Sequence, residues 1–442
     1  MTETPLTEPF SVAGLRPVGW SQPRDAIAKA LRLVDSDSGV IRTLFESPMN
    51  PDTPQVFGYG SILADTTAFG VEDFGTLNGS TSTSRQQAAA GALGEAVERY
   101  AARFVPYGDL VWASPAELGE NAIDPVDLVL YDEEQYARPD FPFREPARAD
   151  ILPWVEGHSL TRNRTVLVPA EAVFMHTVHA GSRGFVQQTT NGLACGNTRE
   201  EAVLSGLYEV VERDASMLTW LRRSENPTLD LGTAKDPGLL AAQRLFETAR
   251  MRVRLVDITT TGIPAVLAMT WLRGRNNGVP VVSSAANLSL QRAARSALEE
   301  LAQCVPWVIS MLDRPGGRPR KPLDALTSTE DHVLWIVEPE RRHLADFLLR
   351  STQTVMLGDE PFSAADVLGE IRECVSRLAA EELEVVVVDV TTPDVAEVGL
   401  SVVRTLVLGS IPLYFGSGLW RAGPRARAAL GAGINHCPHP FP

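Results

Sequence analysis

Three segments of the chain repeat the same acidic helical pattern. They are GALGEAVERY at 91–100, SGLYEVVERD at 205–214 and SALEELAQC at 296–304. In each segment a Leu is followed two residues later by Glu, and three residues after that by Glu or Gln. The copies are separated by 114 and 91 residues, which is too far and too uneven for a solenoid, whose repeats span about 20–50 residues. The pattern therefore predicts three similar helices that meet at one place.

The polar residues of this pattern lie three apart, so the two members of each pair share one face of a helix. The pairs are Glu95 with Glu98, Glu209 with Glu212, and Glu300 with Gln303. Small and apolar neighbours surround them, which indicates helices with little outward polar surface. Carboxylates brought together in a partly buried site repel, and a pKa must rise unless cations neutralise the charge. Magnesium suits such a site because carboxylate and phosphate oxygens complete its octahedron.

The same pattern has a plainer interpretation, a solvated helix face with an intrahelical ion pair to Arg99 or Arg213. A single Glu-x-x-Glu-Arg sequence favours that interpretation, whereas three near-copies favour a shared site. The loop at 191–198 leads into the second copy, and free backbone N–H groups at a helix N-terminus bind anions. An ordinary strand-to-helix turn would have the same composition.

The charge balance argues against two classes of partner. The 442 residues include 55 Asp plus Glu against 40 Lys plus Arg, a formal charge of −15, so nothing in it attracts nucleic acid or an anionic membrane. The amino-terminal MTETPLTEPF lacks a signal-peptide pattern, and the apolar run LEVVVVDV is far shorter than the roughly 18 residues of a membrane span. Four scattered cysteines without a C-x-x-C pair fit a reduced compartment. We therefore expect a soluble cytoplasmic protein.

Strand-like runs alternate with the helical segments, which predicts an α/β fold. The runs are TVLVPA at 165–170, AVLAMTWL at 265–272, VPVVSS at 279–284 and EVVVVDV at 384–390. Residues 1–55 are expected to form an amino-terminal extension to a main domain at 56–442. Two capping-box patterns, Thr83 with Gln86 and Thr198 with Glu201, predict where two acidic helices begin. A ligand role for Glu201 is the competing interpretation, because one carboxylate does not easily serve both purposes.

The end of the sequence, Pro438-His439-Pro440-Phe441-Pro442, alternates proline with other residues. Proline fixes φ at about −65°, so this tail is expected to be a stiff, extended strut that places a terminal carboxylate at a chosen point. A frayed proline-rich end, or a ligand for an SH3-type domain, is the alternative.

Taken together, these motifs resemble the YcaO family, and within it the cyclodehydratases that act with a partner on ribosomally made peptides. GALGEAVERY is similar to the first acidic helix of that family, NGLACGNTREEAVLSGLYEVVERDA to its second motif, RAARSALEELAQ to its third, and PHPFP to the tail of azoline-forming members. The resemblance covers residues 60–442. It implies a YcaO-type α/β fold with mixed sheets, in which the three acidic helices converge on a cleft for ATP and magnesium.

By motif position, the resemblance also implies a set of ligands. Those for the nucleotide are Glu95, Glu98, Asn197, Glu201, Glu209, Glu212, Arg213, Gln303 and Arg404; the five glutamates among them are the magnesium ligands, and Glu300 has a less defined role. Arg404 has a structural alternative, an ion pair with Asp389 or Asp394. The family often has a Gly-Lys-Gly turn before the first helix, where this chain has Ser80-Thr81-Ser82, so a lysine contact to phosphate is missing. The Pro-Gly-Leu of the family is likewise altered, to Leu408-Gly409-Ser410.

The activity implied is ATP-dependent ring formation. A Cys, Ser or Thr side chain of the precursor peptide adds to the preceding amide, whose oxygen is phosphorylated and leaves, giving a thiazoline or oxazoline. Arg404 would stabilise the transferring phosphoryl group, and the Pro442 carboxylate would be the general base. His176 and His179 are more typical of structural residues.

The chain is too short to contain a leader-binding domain as well, so a separate E1-like or ThiF-like protein is expected to deliver the precursor peptide. The sequence is compatible with a homodimer and does not set the oligomeric state. Two other interpretations remain, namely a YcaO enzyme that forms a thioamide or a macroamidine, and a non-catalytic scaffold that binds peptide. The PHPFP tail argues against the first, and the missing lysine keeps the second open.

Overall fold

The computed structural model describes residues 14–67, 77–175, 183–274, 278–314, 321–358, 362–423, 425 and 433–441. Its strands are β1 Ile41–Ser47, β2 Phe57–Leu63, β3 Leu77–Ser82, β4 Val111–Ala113, β5 Leu152–Ser159, β6 Arg164–Pro169, β7 Leu193–Gly196, β8 Thr228–Asp230, β9 Val253–Asp257, β10 Ala265–Trp271, β11 Pro280–Ala286, β12 Thr354–Met356, β13 Glu384–Asp389 and β14 Ser401–Leu408. Its helices are α1 Pro23–Ala30, α2 Arg85–Ala101, α3 Pro115–Leu118, α4 Val126–Val129, α5 Glu133–Tyr136, α6 Ala170–Val173, α7 Arg199–Arg222, α8 Pro237–Thr248, α9 Leu290–Leu312, α10 Thr329–Ile336, α11 Val367–Ala380 and α12 Pro393–Glu397.

The strands form three sheets. The first is antiparallel and runs β1, β2, β3. The second runs β11, β10, β9, β8, β12, with β8 and β12 parallel. The third runs β4, β5, β13, β14, β7, all antiparallel, and β6 also pairs with β5. The mixed architecture confirms the predicted α/β class, and the four predicted strands are β6, β10, β11 and β13.

The three predicted acidic helices are α2, α7 and α9. α7 is central, because 17 of its 24 residues are buried, as expected for a helix enclosed by other elements. It packs on β7 and β14 of the third sheet and on β10 and β11 of the second, while α9 packs on β10, β11 and β3. α2 packs on the first sheet and on β7. Packing on different sheets thus brings the three helices toward one place. None of the described helices combines the length and apolar character needed to cross a membrane.

The two predicted helix starts have different outcomes. Thr198 caps α7 as predicted, since its side chain accepts the Glu201 N–H at 3.2 Å. The prediction for α2 is wrong by one residue, because Ser84 is the N-cap and accepts the N–H of Gln87. The Thr83 hydroxyl donates instead to Glu299 of α9 at 2.6 Å. A contact with a residue 216 positions away therefore uses the hydroxyl that the local pattern assigned to the cap.

Residues 14–47 pack onto the main fold. α1 lies against α2, β1 pairs with β2, and Ile41 is fully buried. We call residues 14–22 the N-terminal strap, because they cross the beginnings of two helices. The Val18 carbonyl accepts the N–H of Val367 at the start of α11, at 3.0 Å, and the backbone of Arg16 donates to Glu200 of α7 at 2.7 Å. The domain boundary at residue 55 stays a prediction.

Candidate functional site

Carboxylates from α2, α7 and α9 come together in the described structure. Glu98 of α2 lies close enough to Glu209 of α7 for their charges to interact, and Glu212 of α7 interacts in the same way with Glu300 of α9. Glu209 and Glu212 also interact with each other along one face of α7. We call these four residues the carboxylate cluster. The three acidic helices therefore converge, as their repeated pattern predicts.

Burial and like charge keep protons on the carboxylate cluster. Burial raises the pKa of Glu300 to about 8, and Glu212 adds to the rise, against the opposing effect of Arg213. Burial likewise raises the pKa of Glu209 to about 7, although Arg213 opposes it. The pKa values of Glu98 and Glu212 are raised too, again mainly by burial. Near neutral pH the cluster therefore holds protons that a bound cation would displace.

Arg213 offsets part of the negative charge from within α7. Its guanidinium lies 3.3 Å from Glu212 Oε1 and 4.0 Å from Glu209 Oε1. Burial alone would lower the pKa of Arg213, but Glu212, Glu300 and Glu209 outweigh it and raise that pKa. The arginine is thus charged and shared between acids of two helices.

Arg404 of β14 reaches the cluster from the third sheet. It is buried and interacts electrostatically with Glu209 and Glu98, and burial lowers its pKa to about 10. Three of its nitrogens donate to backbone carbonyls, those of Val173 at 2.9 Å, Asn191 at 2.6 Å and Thr189 at 2.9 Å. Because a guanidinium has five N–H donors, two are left for a ligand.

The structural alternative for Arg404 is not observed. Asp389 lies 3.9 Å from Arg199 instead, and Asp394 accepts the hydroxyl of Tyr100 at 2.7 Å. Both acids therefore have other partners, while Arg404 faces the carboxylate cluster.

Of the ligands predicted at the start of α7, Glu201 is held by the N-terminal strap and Asn197 has an unpaired side-chain oxygen. Glu201 precedes Glu209 by about 12 Å along the helix axis, and its carboxylate accepts the N–H of Ser21 in the strap at 2.6 Å. The side-chain oxygen of Asn197 is buried, and it has no hydrogen-bond partner among the described residues. Because an unpaired buried acceptor is costly, Asn197 marks a place where a donor or a cation would be stabilised.

Glu95 and Gln303 border the cluster through β3. Glu95 lies 2.6 Å from Arg99 and accepts the N–H of Gly79 at 2.8 Å, and burial raises its pKa. Gln303 donates to the carbonyl of the same Gly79 at 3.3 Å. The segment Ser80–Ser82, where the resemblance seen in the sequence would place a Gly-Lys-Gly turn, belongs to this strand. β3 thus connects the first and third acidic helices.

The donor set fits magnesium that is bound mainly through a nucleotide. In the part of the chain that the structure describes, no three acidic, Cys or His side chains are placed to enclose a metal ion by themselves. Mg²⁺ usually takes one or two carboxylates and fills its shell with water and substrate phosphates. Glu209, whose side chain keeps 27% of its exposed area, is accessible enough to bind in that way.

Two polar residues near the site were not identified by the sequence patterns. Lys29 of α1 donates from Nζ to the carbonyls of Asn197 and Gly399, both at 2.8 Å. Ser284 of β11 donates to Glu212 Oε1 at 2.9 Å. Lys29 precedes Asn197 by 168 residues and Ser284 lies in an apolar strand run, so no local pattern identifies either one.

The proline-spaced tail lies against α7. Trp220 Nε1 donates to the Cys437 carbonyl at 2.8 Å, and residues 438–441 are buried. Pro442, the predicted general base, lies outside the described residues, as do His176 and His179.

Comparison with known proteins supplies the family. Residues 78–409 match the family profile described as YcaO cyclodehydratase, ATP- and Mg²⁺-binding. An uncharacterised protein of Methanothermobacter thermautotrophicus is 30% identical over 339 residues, which cover 74% of this chain and 79% of that protein.

Two solved structures are similar over most of this chain. One is described as a heterocyclase in complex with substrate and cofactor, with a TM-score of 0.80 at 25% identity, and the match covers 98% of this chain and 59% of that chain. The other is YcaO from Methanopyrus kandleri bound with AMPPCP and Mg²⁺, with a TM-score of 0.63 at 23% identity, covering 90% and 94%. This chain therefore spans 59% of the length of the heterocyclase, and it shares the fold of the second protein.

The resemblance seen in the sequence is thereby confirmed. With a matching profile over residues 78–409 and the same fold in solved relatives, the chain belongs to the YcaO cyclodehydratase family, whose cofactors are ATP and Mg²⁺.

Proposed function

We propose that this chain forms thiazoline or oxazoline rings in a ribosomally made precursor peptide, by ATP-dependent cyclodehydration of Cys, Ser or Thr residues. The observation that carries the proposal is the carboxylate cluster. Four acids from three helices share Arg213 and Arg404 there, in a chain of an ATP- and Mg²⁺-binding family. Glu95, Asn197, Glu201 and Gln303 would complete the ligand set around it.

The proposed reaction removes one water from the peptide for each ring. The thiol or hydroxyl loses its proton and adds to the carbonyl carbon of the preceding amide. The former carbonyl oxygen takes the γ-phosphoryl group of ATP, and ADP is released. The C–O bond then breaks, the amide proton is lost, a C=N bond forms and phosphate leaves. Phosphorylation is needed because an unmodified amide oxygen is a very poor leaving group.

The residues of this chain would bind and orient the reactants. Mg²⁺, held by cluster carboxylates and phosphate oxygens, would neutralise phosphate charge. Arg404 is already fixed by three carbonyls, so its remaining donors need little reorganisation when charge develops nearby. A cavity beside Arg404, lined by Gln187, Thr189 and Ser410 among others, is the proposed place of the reacting amide.

The Pro442 carboxylate is the general base in this proposal. The burial of residues 438–441 beside α7, and the interaction of His439 with the charge of Arg213, support it. Adding one residue after Pro442 would move the carboxylate by about 3.3 Å. We expect kcat to fall about 100-fold or more, in the range of lost general base catalysis, with nucleotide binding nearly unchanged. Full activity in the extended protein would remove the assignment.

A separate E1-like or ThiF-like protein is proposed to deliver the precursor peptide, by pairing its leader with a sheet edge. We place this assembly in the cytoplasm, where the four free thiols of the chain would stay reduced. The isolated chain should then be weakly active at best, and addition of the partner should restore ring formation. Size-exclusion chromatography with light scattering would show whether the catalytic chain acts as a monomer or a homodimer.

The direct experiment is to combine the chain with ATP, Mg²⁺, the partner and a precursor peptide, and to measure product mass. The expected product has lost one water per ring, with one phosphate released for each. A product in which sulfur replaces oxygen, or one closed by a backbone amidine, would contradict the proposal. Failure to bind ATP with Mg²⁺ in calorimetry would contradict it as well, and would favour a peptide-binding scaffold.

A further inference from the structure

The residues that lead into the proline-spaced tail, and the tail itself, lie in a slot against α7 that the acidic motifs do not explain. At one end of the slot, Asn435 donates its backbone N–H to the Leu221 carbonyl at 2.8 Å, and Trp220 Nε1 donates to the Cys437 carbonyl at 2.8 Å. Further along, Phe441 is fully buried, with its ring centroid 6.3 Å from that of Trp220. The tail backbone is therefore fixed along the C-terminal part of α7.

Two histidines fix the middle of the tail. His332 of α10 and His439 of the tail are both fully buried, with ring centroids 4.7 Å apart. His439 Nε2 lies 2.7 Å from the Tyr414 carbonyl oxygen, and His332 Nε2 lies 3.0 Å from the backbone nitrogen of Gly416. The two imidazoles therefore bind the same short segment, 414–416, from α10 and from the tail.

These contacts determine where each ring carries its proton. A backbone N–H only donates, so His332 Nε2 accepts from Gly416 and the proton of this ring lies on Nδ1. A carbonyl only accepts, so the proton of His439 lies on Nε2. Within the described residues His332 Nδ1 makes no hydrogen bond of full geometry, and its ring interacts with the backbone of His439 as acceptor.

Both rings are neutral near pH 7. Burial lowers the pKa of His332 to about 4. Burial also lowers the pKa of His439, and repulsion between the two rings when both are protonated lowers it further. The neutral forms match the contacts, because a second proton on His332 would place two donors, Nε2–H and the N–H of Gly416, against each other. These contacts therefore require one specific tautomer on each ring, and we call His332 and His439 together the histidine lock.

We propose that His332 is a positioning residue for ring formation, which fixes His439, and with it the proline-spaced tail, along the C-terminal part of α7, the helix that also carries Arg213 and the middle of the carboxylate cluster. This inference rests on the proposed function for its kinetic consequence. The prolines leave few rotatable bonds in the tail, so one fixed imidazole determines the direction of the residues that follow it. A misplacement of about 1 Å at a reacting group can cost about 100-fold in rate.

The first test measures the tautomers directly. The full chain has 7 histidines, so ¹⁵N-histidine labelling gives few imidazole signals, and His332→Gln and His439→Gln assign the two of interest. We expect His332 to be the neutral Nδ1–H form and His439 the neutral Nε2–H form at pH 7. A charged His332, or one protonated on Nε2, would overturn the lock.

The second test separates positioning from stability. His332→Phe keeps the ring volume and removes the contact with Gly416. We expect hydrogen exchange at the backbone N–H of Asn435 to rise at least about tenfold, kcat to fall at least about tenfold, and the Kd for ATP with Mg²⁺ to change less than about twofold. His332→Gln keeps an acceptor for Gly416 and should recover part of kcat. His343→Gln, at an exposed site just after α10, should leave all three quantities unchanged.

A double variant tests whether the two rings act as one lock. In His332→Phe/His439→Phe, the loss of kcat should be no greater than in the worse single variant, because coupled residues are not additive. Additive losses would overturn the inference, and so would unchanged tail exchange in a folded His332→Phe protein. A wild-type chain that forms no ring would overturn the proposed function and the kinetic part of this inference. Hydrogen exchange at the backbone N–H of Asn435 would still test whether His332 holds the tail in place.

Discussion

The first turn and the middle of α7 each carry a pair of acids, and the two pairs have opposite surroundings. In the first turn, Glu200 accepts the N–H of Arg16 at 2.7 Å and Glu201 accepts that of Ser21 at 2.6 Å. Both contacts come from the strap, and both acids lie near the positive end of the helix dipole. Each acid of this pair therefore has its own backbone N–H donor from the strap.

The negative charge of the middle pair, Glu209 and Glu212, is offset far less by its neighbours. The two acids share Arg213 and lie near Glu98 and Glu300, so like charges outnumber the neighbouring cations. Burial and repulsion raise both pKa values. The comparison indicates that the first pair stabilises the fold, whereas the second pair is destabilising until a cation binds.

The middle pair should therefore be necessary for activity but not for folding. Glu209→Gln keeps the side-chain shape and removes one charge. We expect ring formation to fall at least about 100-fold and binding of ATP with Mg²⁺ to weaken. Without nucleotide, the free energy of unfolding should stay the same or increase, because one like charge is gone. Steady-state kinetics, calorimetry and urea unfolding measure these quantities, and unchanged affinity for ATP with Mg²⁺ would remove the ligand assignment.

The matched control is the same substitution in the first turn. Glu200→Gln keeps an acceptor for the N–H of Arg16, so activity should stay within about threefold of wild type. A large loss of activity in this variant would show that the two pairs are not functionally distinct.

Glu201 has two candidate roles, because the resemblance implies a ligand and the structure shows a contact with the strap. Glu201→Gln separates the roles, since the amide oxygen can still accept from Ser21 but carries no charge. If Glu201 binds the cation, the affinity for ATP with Mg²⁺ should weaken about tenfold, or about 1.4 kcal/mol, with stability unchanged. Calorimetry in the presence and absence of Mg²⁺ measures this. Unchanged affinity would assign Glu201 to the structural pair with Glu200.

The sequence predicts the parts of this site that depend on local periodicity. The Glu-x-x-Glu pattern locates the acidic faces of α2 and α7, and three copies of one pattern are sufficient to predict that their helices meet. Thr198 is identified as a helix cap because its partner lies three residues away. Each of these signals is confined to a few neighbouring residues.

The remaining features depend on contacts between distant segments. The strap reaches Glu201 from 180 residues away, and Ser284 reaches Glu212 from 72 residues away. Thr83 fails as a predicted cap for the same reason, because Glu299 takes its hydroxyl. Tertiary packing determines these partners, so no local pattern could assign them.

The raised pKa values predict how stability depends on pH without nucleotide. Glu300 and Glu209 have pKa values of about 8 and about 7 in the folded chain, against an ordinary value of 4.5. Between pH 4.5 and these raised pKa values the folded chain binds more protons than the unfolded chain, so its stability falls as pH rises from about 5 to about 8.

Thermal unfolding with a chelator present should show this fall in stability, and Glu300→Gln should reduce the fall by an amount of order 2–4 °C in Tm. Addition of ATP and Mg²⁺ should release protons near pH 7, detected as a buffer-dependent binding enthalpy. An identical slope in Glu300→Gln and wild type would show that the carboxylate cluster is not its source.

The smallest effect is expected at Ser284, which connects the middle pair to the second sheet. Ser284→Ala removes the hydroxyl that donates to Glu212 at 2.9 Å, so the pKa of Glu212 should rise further and the carboxylate should lose one constraint on its orientation. We expect kcat/KM to fall about threefold and the free energy of unfolding to fall by about 1 kcal/mol, the usual value for one hydrogen bond. Ser283→Ala is the matched control, because Ser283 is buried in the same strand and donates instead to the Ala297 carbonyl at 2.7 Å. That variant should lose similar stability without the change in kcat/KM. Equal kinetic effects in the two variants would mean that Ser284 acts through the strand rather than through Glu212, and that the middle pair owes its geometry to α7 alone.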